Sequence, residues 1–211
     1  GVVWYRRALD IPASDKGKSI FLDVDGAMSY ATVWLNGQII GGWPYGYNSW
    51  RLDLTKHVIP GGRNVLAIRL DNPPASARWY PGGGLYRDIW LTKAQPVRVA
   101  QWGSAVTTRD VSAASATVKV ALAIDNAGSE DASFSAVTEI FALDASGKRS
   151  GRAVARIDHA PGEAPAGGSV SLQGEAVVRQ PRLWGPPPTQ SPNLYLAVST
   201  IRHGGRVSDA F

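Results

Sequence analysis

Apolar and polar residues alternate with a period of two along nearly the whole chain. In SIFLDV, Ile20, Leu22 and Val24 fall on one face. In ATVWLNGQII, Ala31, Val33 and Leu35 do the same, and the run then meets Asn36-Gly37. Asn-Gly between apolar runs predicts a tight hairpin, because a type I′ turn needs positive φ at both central residues. RLDLTKHVIPGGRNVLAIRL repeats the design, with Leu52 and Leu54 before a Gly61-Gly62 turn and Leu66, Ile68 and Leu70 after it. LYRDIWL closes this half as a strand with Ile89 and Leu91 inward.

The register restarts between Lys93 and Asp110, where a connection leads into a new first strand. Val118, Val120, Leu122 and Ile124 then alternate with Thr117, Lys119, Ala121 and Ala123. A hairpin is expected about Asp144 to Gly147, a further strand at SVSLQGEAVV, and a final hairpin at Gly204-Gly205. No stretch carries the i, i+3, i+4, i+7 apolar spacing of an amphipathic helix. Short strands with regular turn signals predict an all-β chain of two tandem sandwiches. Residues 1–95 form a jelly-roll or galactose-binding-like sandwich, and residues 96–211 an immunoglobulin-like one without a disulfide.

Composition narrows the function classes. The 211 residues are 44% hydrophobic and 18% charged, which is a globular balance. No apolar run approaches the roughly 20 residues that cross a bilayer as a helix, so no membrane partner is expected. The net charge is +5, but the basic residues are scattered, with no run longer than Arg6-Arg7. Nucleic-acid binders gather such residues on one face, so no nucleic-acid partner is expected either. The absence of Cys excludes disulfides and thiolate metal sites. The compartment stays open, with a periplasmic or secreted location favoured over a cytoplasmic one, and homo-oligomerisation stays open too.

Most catalytic motifs are missing. There is no G-x-S-x-G, P-loop or H-E-x-x-H, and GGGLY lacks the spacing of a dinucleotide fingerprint. His57, His159 and His203 have no ligand-like spacing and read as surface or turn residues. The four Glu, at 130, 139, 163 and 175, all lie in the second half and read as solvated positions. Asp23 and Asp25 share a strand face; two carboxylates fall short of the six to eight oxygens calcium takes, so surface chemistry is the better reading. No metal, cofactor or catalytic residue is assigned. Eight Trp remain, and flat aromatic faces beside Arg and Asn suit sugars. Trp34, Trp90 and Trp184, in or beside strands, are expected in the core, whereas Trp43 and Trp79 sit in Gly/Pro-rich loops and are not.

Several segments together resemble a known family: GVVWYRRALDIP, FLDVDGAMSYATVWLNGQIIGGWPYGYNSWRLDLTKHV, GGRNVLAIRLDN and RWYPGGGLYRDIWL. Their order and spacing are similar to the N-terminal sugar-binding domain of glycoside hydrolase family 2, which contains β-galactosidases, β-glucuronidases and β-mannosidases. The second half resembles the family's immunoglobulin-like domain, with LWGPPPTQSPNLYLAVSTI as its most telling stretch.

The resemblance implies a retaining glycosidase whose two catalytic Glu stand on a (β/α)₈ barrel. Nothing in this chain alternates strand and helix, so the chain is expected to be a non-catalytic portion, inactive alone, with the barrel as its missing partner. The family pattern begins before GVVWYRR, so the first strands of the sandwich are expected to be absent. The Arg-Trp-Tyr segment approaches the active-site mouth in the family. Carried over, Arg78, Trp79 and Tyr80 would line the rim of the sugar site. Pro81 and the glycines 82–84 permit the sharp turn that projects those side chains. Arg87 and Asp88 are expected to be structural. Within the family the segments look most like β-galactosidases, with a β-galactoside or related glycan as ligand. The competing reading is a stand-alone carbohydrate-binding or adhesion module without catalysis.

Overall fold

In the computed structural model, which describes residues 1–76 and 78–211, the alternating runs are strands. The chain divides into two compact units, Gly1–Ala94 and Gln95–Phe211.

The first unit contains β1 (Val2–Leu9), β2 (Ser19–Val24), β3 (Ala27–Met28), β4 (Ala31–Leu35), β5 (Gln38–Trp43), β6 (Trp50–Asp53), β7 (Asn64–Asp71), β8 (Gly84–Leu85) and β9 (Ile89–Ala94). Among the described residues one 3₁₀ turn, Ala13–Asp15, interrupts them. One sheet runs β1-β7-β4-β5, a second β6-β2-β9, and β3 pairs with β8. Every pairing is antiparallel. The core lies between the first two sheets. Val33 and Leu35 from β4 and Leu66, Ile68 and Leu70 from β7 meet Ile20, Leu22 and Val24 from β2. Each such burial stabilises the fold by about 1.5–3 kcal/mol, which is why the pleat holds its register.

Asn36-Gly37 makes the predicted turn between β4 and β5, with φ of 52° and 84°. The Gly61-Gly62 turn is a correction. It does not close a hairpin: β6 belongs to one sheet and β7 to the other, so the segment crosses the sandwich. Asn64 secures this crossing, its side chain accepting from Ile59 N and donating to the Ile59 and Gly62 carbonyls.

The second unit contains β10 (Val97–Arg109), β11 (Ser115–Asn126), β12 (Ala132–Leu143), β13 (Arg149–Asp158), β14 (Gly162–Ala164), β15 (Ser169–Arg179), β16 (Tyr195–His203) and β17 (Arg206–Ala210). Its sheets are β10-β11-β15 and β13-β12-β16-β17, with β14 pairing to β12. Val120, Leu122 and Ile124 from β11 pack with Phe134, Ala136, Ile157 and Ile201 of the facing sheet. The two expected hairpins form: Asp144 Oδ1 accepts from the Ser146 and Lys148 amides at one, and Gly204 and Gly205 adopt positive φ at the other. Among the described residues there is no α-helix, and none long and apolar enough to cross a membrane.

Four residues sit elsewhere than expected. Trp34 is not a core residue: it alternates with the buried Val33 and Leu35, is half-buried, and lies against the exposed Trp4 with ring centroids 5.0 Å apart. Trp90 and Trp184 are not core residues; they are 55% and 61% exposed. Trp90 lies between Ile89 and Leu91, which pack on the core, so the pleat turns its indole outward. The buried indole of the first unit is Trp50, at 6% exposure. His159 is not a surface residue. It is buried, its Nε2 2.9 Å from Thr138 Oγ1, which lies 2.8 Å from Ser199 Oγ. Burial pushes this imidazole below the usual histidine range, against smaller opposite effects of the Gln173 backbone and Asp158.

Candidate functional site: an exposed aromatic surface on the first unit

β7 ends at Asp71, which is tied back to the sheet. Ser29 Oγ donates to the Asp71 carbonyl at 2.8 Å, Asp71 N donates to the Ser29 carbonyl at 2.9 Å, and Arg69 pairs with the Asp71 carboxylate at 2.9 Å. From this anchor the chain leaves the sheet and returns at β8. Gly82 and Gly84, with φ of 60° and 127°, occupy backbone conformations that side chains resist. Leu85 N donates to Tyr5 OH at 3.4 Å as the chain re-enters.

Arg78, Trp79 and Tyr80 lie on this excursion, all exposed. Trp79 is 66% and Tyr80 91% accessible to solvent. With Asn72 and Pro73 they flank an open hollow of about 500 Å³. An exposed indole beside a guanidinium offers a stacking face and a fork of donors, which are the two things a sugar ring takes.

A second loop, 44–49, meets the first; Trp43, expected in this loop, is instead the last residue of β5, paired with Ala31. Trp79 Nε1 donates to Tyr47 OH at 3.5 Å. Tyr47 in turn contacts Tyr45 edge-on, ring centroids 5.5 Å apart. Trp43 Nε1 donates to Asn48 Oδ1 at 2.9 Å, so this indole is fixed while it remains exposed. Sequence reasoning singled out Trp43 for its loop position but not Tyr45, Tyr47 or Asn48. The signal was there, in tyrosines spaced by Gly and Pro within GWPYGYNSW.

The other candidates have different roles. Asp23 accepts from Arg51 and Thr92, and Asp25, just past the end of β2, accepts from Trp90 Nε1 at 3.0 Å. Both carboxylates therefore join strands of one sheet. Arg87 lies over the Tyr86 ring at 5.5 Å, and the Asp88 carbonyl accepts from Asp25 N at 3.0 Å. His57 Nδ1 is 3.4 Å from Gln38 Oε1, and His203 Nδ1 is 2.9 Å from the Ser133 carbonyl. Glu139 and Glu175 pair with Arg156 and Arg109. Among the described residues no group of three or more His, Asp or Glu is placed to hold a metal ion.

Comparison with known proteins locates both units. A family described as glycosyl hydrolase 2 galactose-binding domain-like matches residues 2–82, and one described as glycosyl hydrolases family 2 matches residues 98–211. A β-galactosidase of Bacteroides ovatus is 34% identical over the whole chain, which covers 24% of that protein. A putative β-glucuronidase of Formosa agariphila is 31% identical over 99% of the chain, covering 18% of its own length. Among solved structures, a glycosyl hydrolase family 2 member from Bacteroides cellulosilyticus superposes with a TM-score of 0.87 at 29% identity, over all of this chain and 28% of its own. A β-glucuronidase from glycoside hydrolase family 2 gives 0.88 at 27% identity, over all of this chain and 23% of its own. The chain thus spans about a quarter or less of the length of these curated relatives.

Proposed function

The chain belongs to glycoside hydrolase family 2, and from that premise we propose that it is the non-catalytic N-terminal portion of a retaining β-glycosidase that removes terminal β-galactosyl residues. The carrying observation is the exposed Arg78-Trp79-Tyr80 loop, which stands off the apolar core of the first sandwich and flanks an open hollow. Its part in the reaction is to hold sugar. Trp79 presents a ring face to the apolar C–H side of a pyranose, and Arg78 donates to hydroxyls on its rim. The carboxylates that cleave the glycosidic bond belong to the part of the polypeptide outside this chain. The chain's own Glu residues are spread over the second unit, and two of them are paired with Arg.

The sugar is a β-galactoside, a reading supported by the Bacteroides ovatus relative. The glucuronidases among the relatives supply the competitor. Steady-state kinetics of the full-length protein on aryl β-galactoside and aryl β-glucuronide decide between them. Galactoside turnover with little glucuronide turnover is expected. The reverse order replaces the sugar, and turnover of neither overturns the enzyme assignment. The 211-residue chain alone is expected to match buffer on both; turnover abolished by mutating one of its four Glu would overturn the non-catalytic role.

A further inference from the structure

Trp43, at the end of β5, and the loop after it that carries Tyr45 and Tyr47 have no part in the sandwich core, yet they are held firmly. Tyr30 N donates to the Pro44 carbonyl at 3.0 Å. Tyr86 OH donates to the Gly46 carbonyl at 2.5 Å. The Met28 thioether fills the space beneath Gly46, so that a Cβ there would stand 2.5 Å from the sulfur. Asn48 fixes the Trp43 indole, and Trp79 reaches Tyr47 from the neighbouring loop. The rings held this way remain accessible: Trp43 is 42%, Tyr45 58%, Tyr47 46% and Trp79 66% exposed.

Exposed large aromatic rings forgo burial that would stabilise the fold, and a cluster of them marks a contact surface. Two features select the contact. First, the Trp43 and Trp79 indole N–H groups are already engaged within the cluster, at Asn48 and Tyr47. With their N–H groups engaged, what these two indoles still offer is ring face, which suits the C–H surface of a sugar. Second, the cluster is continuous with Trp79, so whatever enters past the 78–80 rim meets it next.

We infer that Trp43, Tyr45 and Tyr47 form a preorganised stacking platform for the sugars next to the one being cleaved, so that the enzyme acts on the ends of oligosaccharide chains rather than on isolated monosaccharide conjugates. This rests on the glycosidase reading above. Ring–sugar stacking is geometrically tolerant, so the platform gives affinity for chain length while the catalytic pocket sets sugar identity. Rings fixed in advance lose little side-chain freedom on binding, which favours even a weakly held glycan.

The test compares two substrates on the full-length enzyme: β-galactosyl fluoride, which has no sugar beyond the cleaved one, and a β-galacto-tetrasaccharide. Trp43→Ala and the double variant Tyr45→Ala/Tyr47→Ala are expected to lower kcat/KM on the tetrasaccharide by about tenfold and to leave the fluoride within about twofold. The loss should appear mainly as a raised KM, with an unchanged melting temperature. Equal losses on both substrates, or a lowered melting temperature with equal losses, assign the rings to internal packing against the rest of the polypeptide and overturn the platform. No loss on either substrate also overturns it. Failure of the glycosidase reading is separate: there the unmutated protein cleaves neither substrate, nor the corresponding glucuronides. If glucuronides are cleaved instead, the same comparison is made with glucuronyl fluoride and a glucuronyl-ended tetrasaccharide.

Discussion

Arg51 holds Asp23 by two parallel hydrogen bonds, Nε to Oδ1 at 2.6 Å and Nη2 to Oδ2 at 2.9 Å. The two residues face each other across β2 and β6, and Thr92 on β9 donates to the same carboxylate at 2.6 Å. One side chain on the central strand thereby links all three strands of the sheet. Asp23→Ala leaves a largely buried guanidinium and a hydroxyl without their acceptor. The expected loss is about 2–3 kcal/mol, since hydrogen bonds to charged groups exceed neutral ones. Chemical denaturation of the 211-residue chain measures it, and the loss should persist at high salt because the pair is shielded from solvent. Arg156→Ala breaks an ion pair with Asp158 that is open to solvent, and should leave the midpoint where it was.

His159 gives the second unit a pH dependence of known sign. Its folded-state pKa is lowered, chiefly by burial, so the native state holds it neutral. The unfolded chain takes up a proton at the ordinary histidine value of about 6.5. Above that pH neither state carries the proton and the full stability is present. As pH falls below it the unfolded state is favoured, until the lower folded pKa is reached. Asp144 and Asp158 act elsewhere on the scale. Their pKa values are lowered, by hydrogen bonds from Ser146 and from Arg156 respectively, so anything these exposed groups contribute is small and bears on stability only below about pH 4, outside the histidine range. Unfolding midpoints should drop as the pH falls below about 6.5, and His159→Gln should flatten that part of the profile. An unchanged slope in the variant refutes the assignment.

Much of the architecture is legible in the sequence because each strand has one face to bury. Val33 and Leu35, or Val120, Leu122 and Ile124, announce both strand and inward face. What alternation does not carry is the choice of partner. Leu52 and Leu66 flank a glycine turn like the arms of a hairpin, yet their strands lie in opposite sheets, and no local pattern separates a hairpin from a crossing. Residue type misleads where position informs: Trp90 is apolar but occupies an outward position, while His159 is polar but finds a hydroxyl partner inside. At the aromatic surface, Gly/Pro-rich composition marks Trp43 and Trp79 as exposed, although Trp43 ends a strand rather than lying in a loop. Tyr47 and Trp79 are 32 residues apart in sequence, and only the fold shows that they touch.

The two glycines of β5 and its turn make different demands. A Cβ on Gly42 would fall 1.9 Å from the Ala31 carbonyl oxygen, which is backbone and cannot step aside. Gly42→Ala must part β4 from β5 and should cost about 3 kcal/mol or more, as overpacked interiors do. Gly37 has open space around it but a φ of 84°, so Gly37→Ala should cost only about 1 kcal/mol of backbone strain. Equal effects of the two substitutions on the denaturation midpoint would contradict this account.

If the proposed sugar-binding role holds, Trp79 and Trp50 separate binding from folding within one unit. Trp50 is 6% exposed and packs in the sandwich core, whereas Trp79 is 66% exposed and touches Tyr47 at the rim. Trp50→Ala should therefore destabilise the chain by about 3–5 kcal/mol, the range for a buried aromatic. Trp79→Ala should move the melting temperature little. In the full-length enzyme it should instead lower kcat/KM by about tenfold, or about 1.4 kcal/mol of transition-state binding, within reach of one lost ring contact. Arg78→Lys keeps the charge and loses the planar fork, so it should fall between the parent and Trp79→Ala. Melting curves and kcat/KM on the same preparations make the comparison. A large loss of stability in Trp79→Ala with normal turnover per folded molecule removes the loop from the sugar site. A loss of turnover at unchanged stability keeps it there.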